Sequence, residues 1–237
     1  MIKMTRHDAV AVIELQREDR RNALNLDQCR AIHKAVDEAI DGSARVIVIT
    51  GKGTAFCSGA DLGGVYGDEF LDALYGMVHH LTEVPVPLIA AVNGPAIGAG
   101  TQLALACDLR VADATAQFAV PTAKNGMAVD AWTIRTLADV AGLGTARRFM
   151  LAAETFDRDQ ALAAGLADRP GTLADALAWA QEIAALAPLS LAHNKLVLNG
   201  GDDEAVAESF AACWASGDVR EAALARSEKR TPRFVGR

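Results

Sequence analysis

In the stretch "GPAIGAGTQLALACD", Gly94 to Asp108, three glycines lead into an apolar run that holds one amide side chain, Gln102. A second glycine loop, "GKGTAFCSGADL" (51 to 62), follows the apolar run "RVIVIT", as "NGPAIGAG" (93 to 100) follows "PLIAAV". Glycine at the end of a strand lets the backbone adopt conformations that a Cβ forbids, and lets another molecule approach main-chain N–H groups closely. Two such loops could build an anion or oxyanion site, although each alone is equally a strand-to-helix turn with no ligand. Nucleotide loops are excluded by spacing. Gly51 and Gly53 are followed by Phe56 where a dinucleotide fingerprint needs glycine, and there is no GxxxxGK[ST]. Ser58 in "CSGAD" is out of frame for a nucleophile elbow. His79 and His80 are neighbours on a predicted helix and so face different ways; they are read as surface or packing residues, not as a metal pair with each other.

Elements must hold these loops in place, and the composition allows a full core. The chain has 237 residues, 51% of them hydrophobic, and a formal charge of -7 with scattered basic residues. That suits one large domain, or one domain with an appendage, and argues against nucleic-acid binding. The N-terminus lacks the pattern of a secretion signal and no run is long enough to span a membrane, so a cytoplasmic location is expected. Cys29, Cys57, Cys107 and Cys213 are far apart, without a CxxC pair, and are expected to be reduced packing residues.

"AVAVIEL" (9 to 15), "RVIVIT" (45 to 50) and "PLIAAVNG" (87 to 94) read as β-branched strands, and "LRVADATAQFAVP" (109 to 121) as one or two more. Between them, Leu26, Cys29, Ile32, Val36 and Ile40 recur at helical spacing, behind a capping Asn25 and ahead of Gly42. A second helix is expected over 68–82. Alternating strands and helices predict an α/β core with mainly parallel pairing. From about Ala131 the chain reads as almost purely helical, broken at Gly142, Gly144, Gly165, Gly171, Pro188 and Gly200–Gly201. Residues 1–187 are taken as the core and 188–237 as a helical appendage. The appendage covers apolar surface either on its own chain or on a neighbouring subunit.

Taken in order, "RNALN" (21 to 25), "GTAFCSGADL", "AAVNGPAIGAG", "CDLRVADATAQFAVP", "GLGTARRFMLAAETFDRDQALAAGLADR" and the closing "EKRTPRFVGR" resemble the crotonase superfamily, the enoyl-CoA hydratase and isomerase family. The resemblance covers the whole chain. It implies a ClpP-like spiral of ββα units with a C-terminal helical region that builds trimers, often paired into hexamers. It also implies acyl-CoA as ligand or substrate, with no further cofactor and no metal. By motif position, the backbone N–H groups of Ala60 and Ala99 would form the oxyanion hole, Ala99 standing where the family commonly has glycine. Loss of one such donor typically costs about 3 to 4 kcal/mol. The resemblance places Ala23, Leu24, Asp61 and Leu62 along the CoA. Arg21 either reaches a phosphate or is simply an exposed charge before a helix.

Two positions depart from the family. Its hydratases use two glutamates; here Gln102 and Thr122 occupy those places, and neither is a competent acid or base near neutral pH. Asp130 matches a position where dienoyl-CoA isomerases and a dehalogenase of the family carry a working aspartate; it is equally a favoured helix N-cap. Trp132 either narrows the acyl pocket or packs in the core. Lys195, Arg226 and Lys229, in the segment that in relatives reaches a neighbour's CoA, are expected to be solvated. The whole chain resembles most a carboxylate-poor, mycobacterial type of member linked to long-chain fatty-acid and mycolic-acid synthesis. That implies an acyl-CoA carrier or adaptor with little hydratase activity, working with fatty-acid synthesis proteins. The alternative is an active isomerase or hydratase with Asp130 as its acid or base.

Overall fold

A computed structural model describes residues 2–61, 63 and 67–237. An antiparallel pair, β1 (Ile2–His7) and β2 (Val10–Leu15), opens the chain. Helix α1 (Leu26–Asp41) then begins where Asn25 accepts the N–H of Gln28 at 2.9 Å, a cap worth about 1 kcal/mol. Its inner face buries Cys29, Ile32, Val36 and Ala39 completely. Full burial of an Ile or Val side chain contributes about 1.5 to 3 kcal/mol each, which fixes the rotation of the helix on the sheet.

Beyond α1 the chain winds as a spiral. β3 (Val46–Gly51), α2 (Asp68–Glu83), β4 (Leu88–Val92), β5 (Pro95–Ile97), α3 (Ala99–Ala106), β6 (Leu109–Ala112), β7 (Gln117–Ala119) and α4 (Ala131–Leu151) follow in order. β8 (Thr155–Asp157), α5 (Arg158–Ala163), β9 (Arg169–Pro170) and α6 (Leu173–Ala184) complete the spiral. The strands divide between a six-stranded sheet, β1-β2-β3-β4-β6-β9, and a three-stranded sheet, β5-β7-β8. From β2 to β9 the larger sheet is parallel throughout. β3 and β4 are buried at every position, which explains why they read as unbroken apolar runs instead of alternating ones. Three further helices, α7 (Pro188–Leu198), α8 (Asp203–Ala215) and α9 (Gly217–Glu228), end the fold. Among the described residues no helix is long and apolar enough to cross a membrane.

The expected strands and the first two helices are present, and 109–121 yields two strands. The expectation of an almost purely helical chain after Ala131 is corrected. β8 and β9 lie in that region, each too short to show any alternation. β8 is held by Phe156, which pairs across with Phe118 and meets Phe149 edge-on at 4.7 Å. β1 is also absent from the sequence reading, because an edge strand with four exposed positions in six carries little apolar pattern. Of the expected breaks, Gly142 leaves helical geometry inside α4 and Pro188 opens α7, whereas Gly144 lies within α4 without breaking it.

Lys195 is also a correction. Instead of being solvated it is buried, with Nζ donating to Leu81 O (3.0 Å), Val86 O (3.1 Å) and Asp108 Oδ2 (2.8 Å). The Asp108 oxygen also accepts the Leu88 N–H. Arg226 and Lys229 are exposed as expected. Arg110, likewise buried, donates to the carbonyls of Ala104, Cys107 and Leu166 and sits 3.3 Å from Asp168. A cation on the last carbonyls of α3 also suits the negative end of the helix.

Cys29, Cys57 and Cys107 are buried free thiols, and burial is the leading cause that pushes each up to about 12 from an ordinary 9.0. As pH rises above 9.0 the unfolded chain releases these protons while the native chain retains them, so stability falls. The melting temperature should therefore decline between pH 9 and 11, roughly over the range separating the two states' pKa values, and Cys57→Ala should lessen that decline. In native protein at pH 8, a thiol reagent should leave these three cysteines unmodified.

Candidate active site

The two glycine loops meet because the first turn of α3 lies directly against the chain at Cys57. A Cβ on Gly100 would stand 2.1 Å from Cys57 O, so only glycine permits the approach. Next to it, Gly98 takes φ +55°, and its N–H donates to Ala119 O at 2.7 Å. Cys57 and Ala96 form a parallel bridge, with Cys57 N–H on Pro95 O and Ile97 N–H on Cys57 O. A similar bridge joins Ala60 to Leu24, through Leu24 N–H to Gly59 O and Asp61 N–H to Leu24 O. In a parallel bridge the residue between the two bonded ones turns its own N–H to the other side, so Ala60 directs its amide away from Leu24. Ala99 is the first residue of α3, with a negative φ; its N–H has no carbonyl one helical turn back, and the positive end of the helix dipole lies there.

Ala60 and Ala99 both line a cavity of about 160 Å³, together with Gln102, Thr122 and an apolar wall that includes Phe70, Leu74, Ile97 and Val129. It is smaller than the roughly 300 to 1,000 Å³ that encloses a drug-sized ligand, and so suits one segment of a longer molecule. α3 is buried at every position. Thr101 spends its hydroxyl on Ala96 O and Ala119 O, inside the small sheet, which leaves Gln102 as the polar side chain that α3 presents to the cavity.

Gln102 Nε2 donates to Thr133 Oγ1 at 2.8 Å, and the Thr133 hydroxyl donates to Asp130 Oδ1. That same oxygen accepts the Thr133 N–H at 3.1 Å, which makes Asp130 the N-cap of α4. The order of donors is dictated: the carboxylate oxygen takes the hydroxyl's only hydrogen, so Thr133 can only accept from Gln102, and the amide must turn its nitrogen that way. Its carbonyl oxygen is thereby left for the cavity. Asp130 does not line the cavity; it lies behind Gln102, with its other oxygen 3.5 Å from His79 Nε2. Trp132 is also outside the lining, edge-on to His79 at 5.8 Å and against the main core. Thr122 opens a short 3₁₀ turn at the cavity's edge.

Of the residues expected along CoA, Arg21, Ala23, Leu24 and Asp61 are described, and none of them lines the cavity itself. Leu24 is fully buried and both its backbone groups hold the Gly59–Asp61 segment, so it supports that segment from within. Ala23 is buried, Arg21 is exposed with φ +49°, and Leu62 lies outside the described residues. Asp61 pairs with Arg17 Nη2 at 2.8 Å, while Arg17 Nη1 holds Ala23 O; this guanidinium keeps the Asp61 carboxyl below its ordinary range.

A family model described as Enoyl-CoA hydratase/isomerase matches residues 5–237. The chain belongs to the enoyl-CoA hydratase/isomerase family. It is 50% identical, over all of both chains, to "Probable enoyl-CoA hydratase echA6" of Mycobacterium tuberculosis (strain CDC 1551 / Oshkosh). It is 30% identical to the short-chain-enoyl-CoA hydratase of Clostridium acetobutylicum, covering 93% of this chain and 92% of that one. Among solved structures, an enoyl-CoA hydratase/carnithine racemase from Magnetospirillum magneticum superposes with a TM-score of 0.90 at 29% identity, covering 100% of this chain and 96% of that one. The fold is thus the crotonase spiral.

Within this family frame, sequence reasoning missed the residues that brace the loops. Asn22, fully buried with φ +58°, donates to Lys52 O and Ala55 O and accepts the Arg17 N–H. Asn93 accepts the Gly51 N–H and donates to Gly53 O. Both grip the Gly51–Ala55 loop; their only sequence signal was an asparagine beside each glycine-containing or turn motif. Thr133 and Arg17 carried no signal. Gly100→Ala should lower stability by about 1 to 3 kcal/mol, as overpacking does. Urea unfolding would measure that loss, and ligand binding should fall with it as α3 is forced off Cys57.

Proposed function

We propose that this protein binds acyl-CoA thioesters with the carbonyl oxygen between the N–H groups of Ala60 and Ala99, turns them over little, and acts as a carrier or adaptor in fatty-acid or mycolic-acid metabolism. The observation that carries this reading is the cavity lining. Among the described residues it contains no carboxylate and no imidazole; the resemblance implies that Gln102 and Thr122 stand where the family's hydratases place glutamates. Two backbone donors and a helix N-terminus stabilise charge on a thioester oxygen, so binding survives the loss of the acid and base. Each placed acid or base contributes about 10²- to 10⁴-fold, and together the losses amount to at least several thousandfold.

A second reading makes the protein an isomerase or hydratase with Asp130 as acid or base. The path Asp130–Thr133–Gln102 favours it, since it ends at the cavity. Asp130 is, however, spent on the cap of α4, and a proton leaving it must cross a hydroxyl and an amide. The test follows crotonyl-CoA and a long-chain enoyl-CoA by loss of the conjugated absorbance and by calorimetry. Binding with hydration at least about a thousandfold below the family's ordinary rate is expected. Hydration at that ordinary rate, abolished in Asp130→Asn, would establish the second reading. Restoring both carboxylates in Gln102→Glu/Thr122→Glu should raise turnover by about a hundredfold or more.

The same reading assigns the C-terminal helices to self-association, as a trimer or a dimer of trimers, with fatty-acid synthesis proteins as further partners in the cytoplasm. In its support, no residue of α8 is fully buried within its own chain, and Phe210 and Trp214 are 55% and 66% exposed beside a groove of about 670 Å³ between α7 and α9. Such a patch is unusual on a monomer. Light scattering should give a trimer or hexamer mass for the wild type and a smaller species for Trp214→Glu.

A further inference from the structure

On the face of α1 and α2 away from the cavity, three ligand-type side chains converge. His33 and Asp37 are four residues apart on α1 and so share one face; His80 reaches them from α2. His80 Nε2 is 2.7 Å from Asp37 Oδ1, His33 Nε2 is 3.7 Å from Asp37 Oδ2, and all three ligand atoms lie within 4.8 Å of one another. The two imidazoles stack at 3.8 Å between centroids with 2° between planes. The sequence reading dismissed His79 and His80 as a pair with each other, and that stands; the partner that matters to His80 is 47 residues earlier in the chain.

We propose that His33, Asp37 and His80 form a site for a divalent transition cation of the zinc class. Bonds of roughly 2.0 to 2.2 Å in a tetrahedral arrangement separate ligand atoms by about 3.3 to 3.5 Å, a value bracketed by the two distances to Asp37. Parallel rings do not yet aim both nitrogens at one point. Turning an imidazole about χ2 is a soft motion, and with His33 41% and His80 23% exposed there is room for it. Imidazole with one carboxylate suits Zn²⁺, Co²⁺ or Ni²⁺, whereas Mg²⁺ and Ca²⁺ prefer oxygen cages. One position, for water or a fourth ligand, stays on the solvent side, where Glu69 and Asp72 line the same groove and Arg30 is held by Glu69 at 2.8 Å.

The cation would clamp α1 to α2. The opposite end of α2 supplies Phe70, Leu71, Leu74 and Tyr75 to the cavity, and His79, beside His80, touches Asp130. The site thus joins the element that walls the cavity to the rest of the core without entering the cavity.

The test titrates Zn²⁺ into the purified, chelator-treated full chain and reads the melting temperature. Co²⁺ absorption serves as a second readout of tetrahedral ligation. A rise of about 5 to 10 °C at a hundredfold excess over Kd is expected, reversed by EDTA and absent with Mg²⁺. His80→Ala and His33→Gln should each weaken Zn²⁺ binding at least tenfold while folding normally without metal, and His193→Ala should leave it unchanged. No thermal shift in the wild type at 100 µM Zn²⁺ would overturn the proposal, as would an equal shift in His80→Ala.

Discussion

The structure rests on the close approach of α3 to the chain at Cys57. With a hydrogen in place of Cβ at Gly100, two backbones that belong to different turns of the spiral come within bonding reach, and their hydrogen bonds lock Ala60 and Ala99 onto one cavity. The proposed thioester site depends on main-chain atoms held in that register. This explains where the molecule places its buried polar side chains. Asn22, Asn93, Thr101 and Arg110 each saturate backbone groups of the two loops or of α3, and none of the four lines the cavity.

A site built from backbone donors tolerates changes in side-chain chemistry around it. The order of donors from Gln102 through Thr133 to Asp130 fixes which end of the amide faces the cavity. The charge of Asp130 is used twice in the structure, once to cap α4 and once to orient that amide. That carboxylate stands one layer back from the cavity, where it sets geometry.

Much of this was legible in the sequence, for identifiable reasons. β3 and β4 are buried on both faces and so appear as continuous β-branched runs; α1 is amphipathic with a true Asn25 cap. The loops were visible because close backbone approach demands glycine, and glycine is conspicuous. β8 and β9 were not, since three and two residues carry no period, and their position comes from Phe156 packing and from pairing with β6. Trp132 and Asp130 could be placed near the site but not ranked in distance from it, because one helical turn decides which side chain faces the cavity. Lys195 was misread because burial of a lysine depends on three acceptors brought from residues 81, 86 and 108, a convergence that linear spacing does not encode.

That lysine bears on how the molecule comes apart. A boundary at residue 188 separates spiral from helices in secondary structure, yet Lys195 satisfies two carbonyls and a carboxylate of the spiral, and Arg45 reaches out of the spiral to Phe234 O. Detaching α7 would strand an ammonium group and leave the carboxylate of Asp108 without its cation at the base of β4. The two regions are thus joined by side-chain hydrogen bonds as well as by the chain. The spiral therefore completes its buried hydrogen bonds only once α7 has docked on it, which makes that helix a keystone and not an appendage.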